Sequence, residues 1–272
     1  SASNTSNALQ GLIPGVSVVQ SSGRPGADGA TIRIRGTGSL NSSSNPLVLI
    51  DGVEGDMNYI DMNTIESISV LKDAASASIY GSRASNGVIL ITTKRSKDGK
   101  LKVNYNGYVG VNKPTEMPDP VDAVAYMEAI NVARANSDQD PQYPESLIND
   151  YKTLGADNIN RYDTDWQDEI IKNMALTHNH SLSLSGGSQK VRFFGNAAYY
   201  YQDGQIANND YERLTLRLNT DADITQWMKV GVDVNIRQST TVRPSLDSPE
   251  GIISKATTFV PVFSGINDDG TW

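Results

Sequence analysis

The chain has 272 residues, with 23 Lys plus Arg against 31 Asp plus Glu, a net charge of −8 and a pI near 4.8. That balance excludes nucleic acid as a partner, since nucleic-acid binding needs a basic surface to displace counterions, and excludes a polybasic membrane-surface module. With no cysteine and two histidines, His178 and His180, the chain has no disulfide or thiolate nucleophile and almost no material for a Ser-His-Asp site or a multi-His metal centre.

Residues 1 to 8 are small and polar, without the charged and apolar regions of a signal peptide. No run approaches the roughly 20 apolar residues of a transmembrane helix. A β-barrel strand needs only about 10 alternating residues and escapes that test. Residues 9 to 95 read as a compact α/β unit, with short apolar runs punctuated by Gly, Pro, Asn and Asp. Expected strands are Val16–Gln20, Thr31–Arg35, Leu47–Asp51, Ile65–Leu71 and Gly87–Lys94. A helix is expected between the last two, with Asp73 as N-cap and Gly81 as its stop. In Thr31-Ile32-Arg33-Ile34-Arg35 the isoleucines face a core and the arginines share the other face.

A different pattern starts near residue 101. Five segments alternate strictly: Leu101–Val111, Leu176–Ser185, Val191–Gln202, Arg213–Asp223 and Lys229–Arg237. Each carries one apolar and one polar face, as Leu214, Leu216 and Leu218 do against Arg213, Thr215, Arg217 and Asn219. Periodicity alone fits outer-membrane barrel strands and a soluble antiparallel sandwich equally well. The insert 113–175 is expected to be partly helical, with one helix starting at Asp119-Pro120 and another capped by Asp165. From Pro244 onward the composition is that of a loop.

The residues also carry a resemblance. Ile34-Arg35-Gly36, Leu49-Ile50-Asp51-Gly52-Val53, Ile65–Asp73, Ile79–Ile89 and Ile91-Thr92-Thr93-Lys94 are similar to the plug domain of TonB-dependent outer-membrane receptors. Leu9-Gln10-Gly11, Pro14-Gly15-Val16 and Lys72-Asp73-Ala74 resemble the SusC/RagA group in particular, as do Thr164–Glu169, Ser185–Ser188, Arg213 to Asn219 and Trp227 to Gly231. The fold this implies is an α+β plug domain (a small mixed sheet with short helices) over 9–97. Antiparallel strands of an incomplete transmembrane β-barrel then follow over 98–272. The group's barrels have 22 strands. Five strands at ~4.8 Å spacing make a ribbon about 24 Å wide, against about 8 strands in the smallest closed barrels, so the chain is expected not to close one alone. Isolated, its apolar faces are expected to self-associate or leave the chain beyond about residue 100 disordered.

The function implied is active import. An oligosaccharide or oligopeptide enters from the cell surface under a SusD-like lipoprotein. The TonB-ExbB-ExbD complex supplies the energy, and the whole sits among the outer-membrane lipids of a Gram-negative, Bacteroidetes-like cell. A siderophore or cobalamin receptor of the same superfamily is the runner-up, and a soluble glycan-binding or adhesion β-sandwich is the alternative of another class. Plug–barrel lock candidates are Arg35, Lys72, Arg83 and Arg33, since Arg pairs bidentately with carboxylates. Two polar turns are candidates for the ligand-facing apex: Ser39, Asn41, Ser42, Ser43, Ser44 and Asn45, and the Gly23–Gly29 turn with Arg24 and Asp28. Ordinary turn chemistry explains them equally. His178 and His180 share a strand face, but no third ligand stands at useful spacing, so no metal and no other cofactor is expected. No nucleophile–base pair or carboxylate pair suggests an enzyme.

Overall fold

The computed structural model describes residues 4–34, 44–73, 77–97, 99–157, 161–245 and 247–264. These divide into two compact units, one within 1–110, 176–203 and 210–242, the other within 111–175, 204–209 and 243–272.

In the first unit a short helix α1 (Thr5–Ala8) precedes the antiparallel hairpin of β1 (Val16–Val19) and β2 (Thr31–Ile34). A mixed sheet follows: β3 (Leu47–Ile50), β4 (Val53–Glu54), β5 (Ile65–Leu71) and β6 (Val88–Thr93), in the order β4-β3-β6-β5. β3 and β6 run parallel and the other pairs antiparallel. The core contains Ile32 and Ile34, as their alternation leads one to expect, buried with Ile89, Ile91, Leu9, Met57 and Ile60. Of the expected helix after Asp73, the Ala77 amide donates to the Asp73 carbonyl at 3.0 Å as in an α-helical turn, and a 3-10 turn, Ser78–Tyr80, follows; it ends at Gly81, whose φ of +72° favours glycine.

The five long strands are β7 (Gly99–Asn112), β8 (Ala175–Gly187), β9 (Val191–Asp203), β10 (Asp210–Asp223) and β11 (Lys229–Thr241). They form one open antiparallel meander, β11-β10-β9-β8-β7. Its burial is inverted relative to the plug. On β10 the polar Arg213, Thr215, Arg217 and Asn219 are buried, while Leu214, Leu216 and Leu218 are about two-fifths exposed. Val230, Val232, Val234 and Ile236 on β11 are exposed likewise. No second sheet covers this apolar face among the described residues. A sandwich buries its apolar face, so the sheet is a barrel wall with a polar interior and an apolar exterior.

The second unit contains α2 (Ala123–Ala135), α3 (Glu145–Leu154), α4 (Trp166–Ile170) and α5 (Pro249–Thr258). Ala123, Met127, Ile148 and Tyr151 form its core. Asp165 caps α4 as expected, accepting from the Gln167 and Asp168 amides at 2.9 and 3.3 Å. The first insert helix begins later than Asp119-Pro120. Asp122 accepts from the Ala125 amide at 2.7 Å and supplies the cap that fixes the start. The stretch from Pro244 is not all loop: Ser248 accepts from the Gly251 amide at 3.0 Å and opens α5, with Pro249 in its first turn. Below α5, Trp166 Nε1 donates to the Val260 carbonyl at 3.0 Å and its ring packs edge-on against Phe259.

Candidate functional site: the seam between plug and wall

The site grows from a two-residue turn. Asp51-Gly52 joins β3 to β4 with both residues at positive φ, +49° and +89°, as a tight hairpin of this kind requires. That turn holds the Asp51 carboxylate beside the end of β6. Its Oδ1 accepts from the Thr93 amide at 2.9 Å and its Oδ2 from the Thr93 hydroxyl at 2.6 Å. From the wall, Arg217 donates Nη2 to Asp51 Oδ2 at 2.6 Å and to Thr93 Oγ1 at 2.8 Å. Asn219 Nδ2 donates to Thr93 Oγ1 at 2.9 Å and to the Lys94 carbonyl at 3.0 Å. The Thr93 hydroxyl thus makes one donation and two acceptances, its full capacity. The Arg217 and Asp51 side chains are 5% and 11% exposed, so this ion pair is dry and hydrogen-bonded on both sides.

A second cluster lies where the plug passes into the wall. Arg95 donates Nη1 to Asp221 Oδ1 at 2.8 Å and Nη2 to Asp233 Oδ2. Burial works against its charge, but the hydrogen bonds to Asp233 and Asp221 outweigh it and raise its pKa above the ordinary arginine range. Toward the opposite end of the strands, Arg213 Nη1 donates to the Asn58 carbonyl at 3.3 Å, and Arg237 stacks on the Tyr59 ring at 4.3 Å. Gly26 sits so near Tyr211 that an added Cβ would lie 2.5 Å from its ring.

The sequence candidates stand elsewhere in the plug. Lys72 donates its ammonium to the Pro14 carbonyl, Arg83 pairs with Glu54 at the surface, and Arg33 lies on the exposed face of β2. Arg35, Ser39, Asn41, Ser42 and Ser43 fall outside the described residues. Asp28 is buried, accepting from Asn4 Nδ2 at 2.6 Å while its carbonyl accepts from Asn7 Nδ2 at 2.7 Å. Ser44 is half-buried, Asn45 exposed, and the amide of Arg24 donates to Ser22 Oγ at 3.1 Å. Sequence reasoning missed Asp51, Thr93 and Arg95 as contacts. For Asp51 a signal existed: Asp-Gly between two apolar runs marks a two-residue hairpin turn and puts Asp51 at its tip.

His178 and His180 lie on the outer face in an aromatic cluster. Tyr105 OH and His180 Nδ1 are 2.6 Å apart, and His178 stacks near Tyr201. Among the described residues no group of three or more His, Asp or Glu side chains is set to hold a metal.

Comparison with known proteins agrees with this architecture. Residues 1–88 match the model of the TonB-dependent Receptor Plug Domain. The chain is 35% identical over 272 residues to TonB-dependent receptor P3 of Formosa agariphila, covering 97% of this chain and 25% of that protein. It is 36% identical over 227 residues to TonB-dependent receptor SusC of Bacteroides thetaiotaomicron, covering 79% of this chain and 21% of that protein. The RagAB peptide importer in its closed-closed state superposes with a TM-score of 0.79 at 27% identity, over 99% of this chain and 33% of that one. The chain therefore spans about a quarter of the length of these curated relatives.

Proposed function

From the premise that the chain belongs to the TonB-dependent receptors of SusC/RagA type, we propose that it supplies the plug and part of the wall of an outer-membrane nutrient importer. The observation that carries this is the seam itself. A plug held by a few buried polar clusters, against a wall whose inner face is largely polar, is held firmly yet can leave while exposing little apolar surface. The Asp51–Arg217 cluster and the Arg95 pairs act as the hold that traction from a TonB-ExbB-ExbD complex overcomes.

The substrate in this reading is an oligosaccharide or oligopeptide, received under a SusD-like surface lipoprotein. Identity to SusC and superposition on a peptide importer support that class over a siderophore or cobalamin receptor. The protein resides in the outer membrane of a Bacteroidetes-like cell, with the apolar faces of β7 to β11 toward lipid. The test is to tag the full-length protein, extract it in mild detergent and identify stoichiometric companions by mass spectrometry. A surface lipoprotein in about equal amount is expected. A receptor recovered alone moves the reading to the unlidded siderophore and vitamin class.

A further inference from the structure

The inner face of the wall places its arginines in two different settings. Nearer the short turns, Arg217 pairs with Asp51 and Arg192 with Asp223. Nearer the other end, Arg213 and Arg237 have no carboxylate partner among the described residues. The undescribed plug segment 35–43 contains no Asp or Glu to supply one. The two arginines are diagonal neighbours, because Thr215 pairs with Arg237 and Arg213 with Ser239. Each rests on one of two consecutive plug residues through a neutral group. Arg213, 7% exposed, holds the Asn58 carbonyl and lies 5.3 Å from the Tyr200 ring centroid. Arg237 stacks on Tyr59 and donates Nη2 to the Tyr211 hydroxyl at 2.8 Å, and its buried Nε, like that of Arg217, has no acceptor among the described residues.

A guanidinium as buried as that of Arg213 is ordinarily paired with an anion, and Arg237 beside it is half-buried. Among the described residues neither guanidinium touches a carboxylate, although Asp61, 4% exposed, lines the same hollow as Arg213. The position is reachable. Tyr59 is 51% exposed, and Arg213, Tyr200, Asn179, Tyr108 and Asp61 line a small hollow that Arg237 and Tyr59 do not themselves line. Asn179 is itself 7% exposed, and its Oδ1 finds no donor among the described residues.

We propose that Arg213 and Arg237 form a recognition site for the carboxylates of an acidic oligomer, with Tyr59 as its stacking floor. This rests on the importer reading and specifies its cargo. The planar guanidinium fork matches a carboxylate, and a tyrosine face accepts a sugar ring or a peptide plane. The contacts given up are the neutral ones to Asn58 and Tyr59, so an occupied site loosens the plug at this end. Asp61, whose Oδ1 accepts from the Asn63 amide at 2.7 Å, lines the same hollow and opposes the anion.

The experiment is calorimetric titration of the full-length receptor, co-purified with its companions, using two matched pairs of probes. One pair is tetragalacturonate and its methyl ester; the other is a Glu-rich hexapeptide and its Gln counterpart. One acidic probe is expected to bind at least about tenfold tighter than its neutral twin, and the pair in which this occurs identifies the source of the carboxylate. The double variant Arg213→Gln/Arg237→Gln abolishes the preference, Asp61→Asn increases it, and added salt reduces it. Heat-modifiable gel mobility confirms a folded barrel, and if the double variant misfolds, Arg237→Gln and Asp61→Asn carry the test with opposite signs. Absence of a preference in both pairs, or a preference that survives the arginine substitutions, overturns the site. TonB-dependent uptake of the neutral probes that persists in either case leaves the importer reading intact.

Discussion

β2 and β10 have the same alternating pattern and bury opposite halves of it. β2 places Ile32 and Ile34 in the plug core and leaves Thr31 and Arg33 exposed. β10 buries Arg213, Thr215, Arg217 and Asn219 and leaves three leucines exposed. A period of two therefore fixes the strand and its two faces, but not which face is the inside. What lies opposite decides: an apolar layer in the plug, and a polar plug surface for the wall. The difference also sets the energetics. The plug is held together by apolar area removed from water, whereas the seam is held by charge-assisted hydrogen bonds whose partners must all be present.

The strongest way to break the seam is Arg217→Met in the full-length receptor. It strands the Asp51 carboxylate in a nearly dry site and removes a donor from Thr93, an expected loss of roughly 3–5 kcal/mol of plug retention. Limited proteolysis of the plug in outer-membrane vesicles reads it as faster cleavage. Adding Asp51→Ala to that variant should recover much of the loss; two strictly additive losses would remove the coupling argued here. Next comes the plug core. Ile34→Ala leaves a cavity beside Ile32 and Leu9 and is expected to lower plug stability by roughly 2–5 kcal/mol in chemical denaturation, with the wall unaffected. Third, Leu216→Arg on the outer face of β10 should lower barrel stability by roughly 2–4 kcal/mol in a lipid bilayer. In a sheet whose exposed face meets water the same change is nearly neutral, so equal stability in lipid would reverse the assignment of the two faces.

Much of this was legible in the sequence because it is local. The five wall strands follow from alternation, the main plug strands from short apolar runs between turn residues, and the cap at Asp165 from residue type. The miss at the first insert helix was also local. Asp119-Pro120 carries a start signal, but Asp122 makes the capping hydrogen bond. Ser248-Pro249 was an equally good signal, passed over because the surrounding Pro, Ser and Asp residues read as loop. The seam was not legible for a different reason. Asp51 and Arg217 are separated by 166 positions, and no local pattern distinguishes Arg217 from Arg213, which faces the same way with a neutral partner. Choosing cationic plug residues by type gives Arg33, Arg35, Lys72 and Arg83, and the partners of Lys72 and Arg83 among the described residues are plug groups.

The smallest expected effect sharpens this contrast. Arg83 and Glu54 form an ion pair of the same chemistry as Arg217 and Asp51, yet their side chains are 71% and 57% exposed. In water the Coulomb attraction of such a pair is screened, and holding two long side chains together costs entropy, so its worth is about 0–1 kcal/mol. Arg83→Ala should therefore leave plug stability in the full-length receptor within about 0.5 kcal/mol of the original and its proteolysis rate unchanged. The two arginines differ in surroundings rather than in chemistry. A loss for Arg83→Ala as large as that for Arg217→Met would mean that Arg83 meets a further partner in the assembled receptor, and that its exposure in this chain does not measure its environment there.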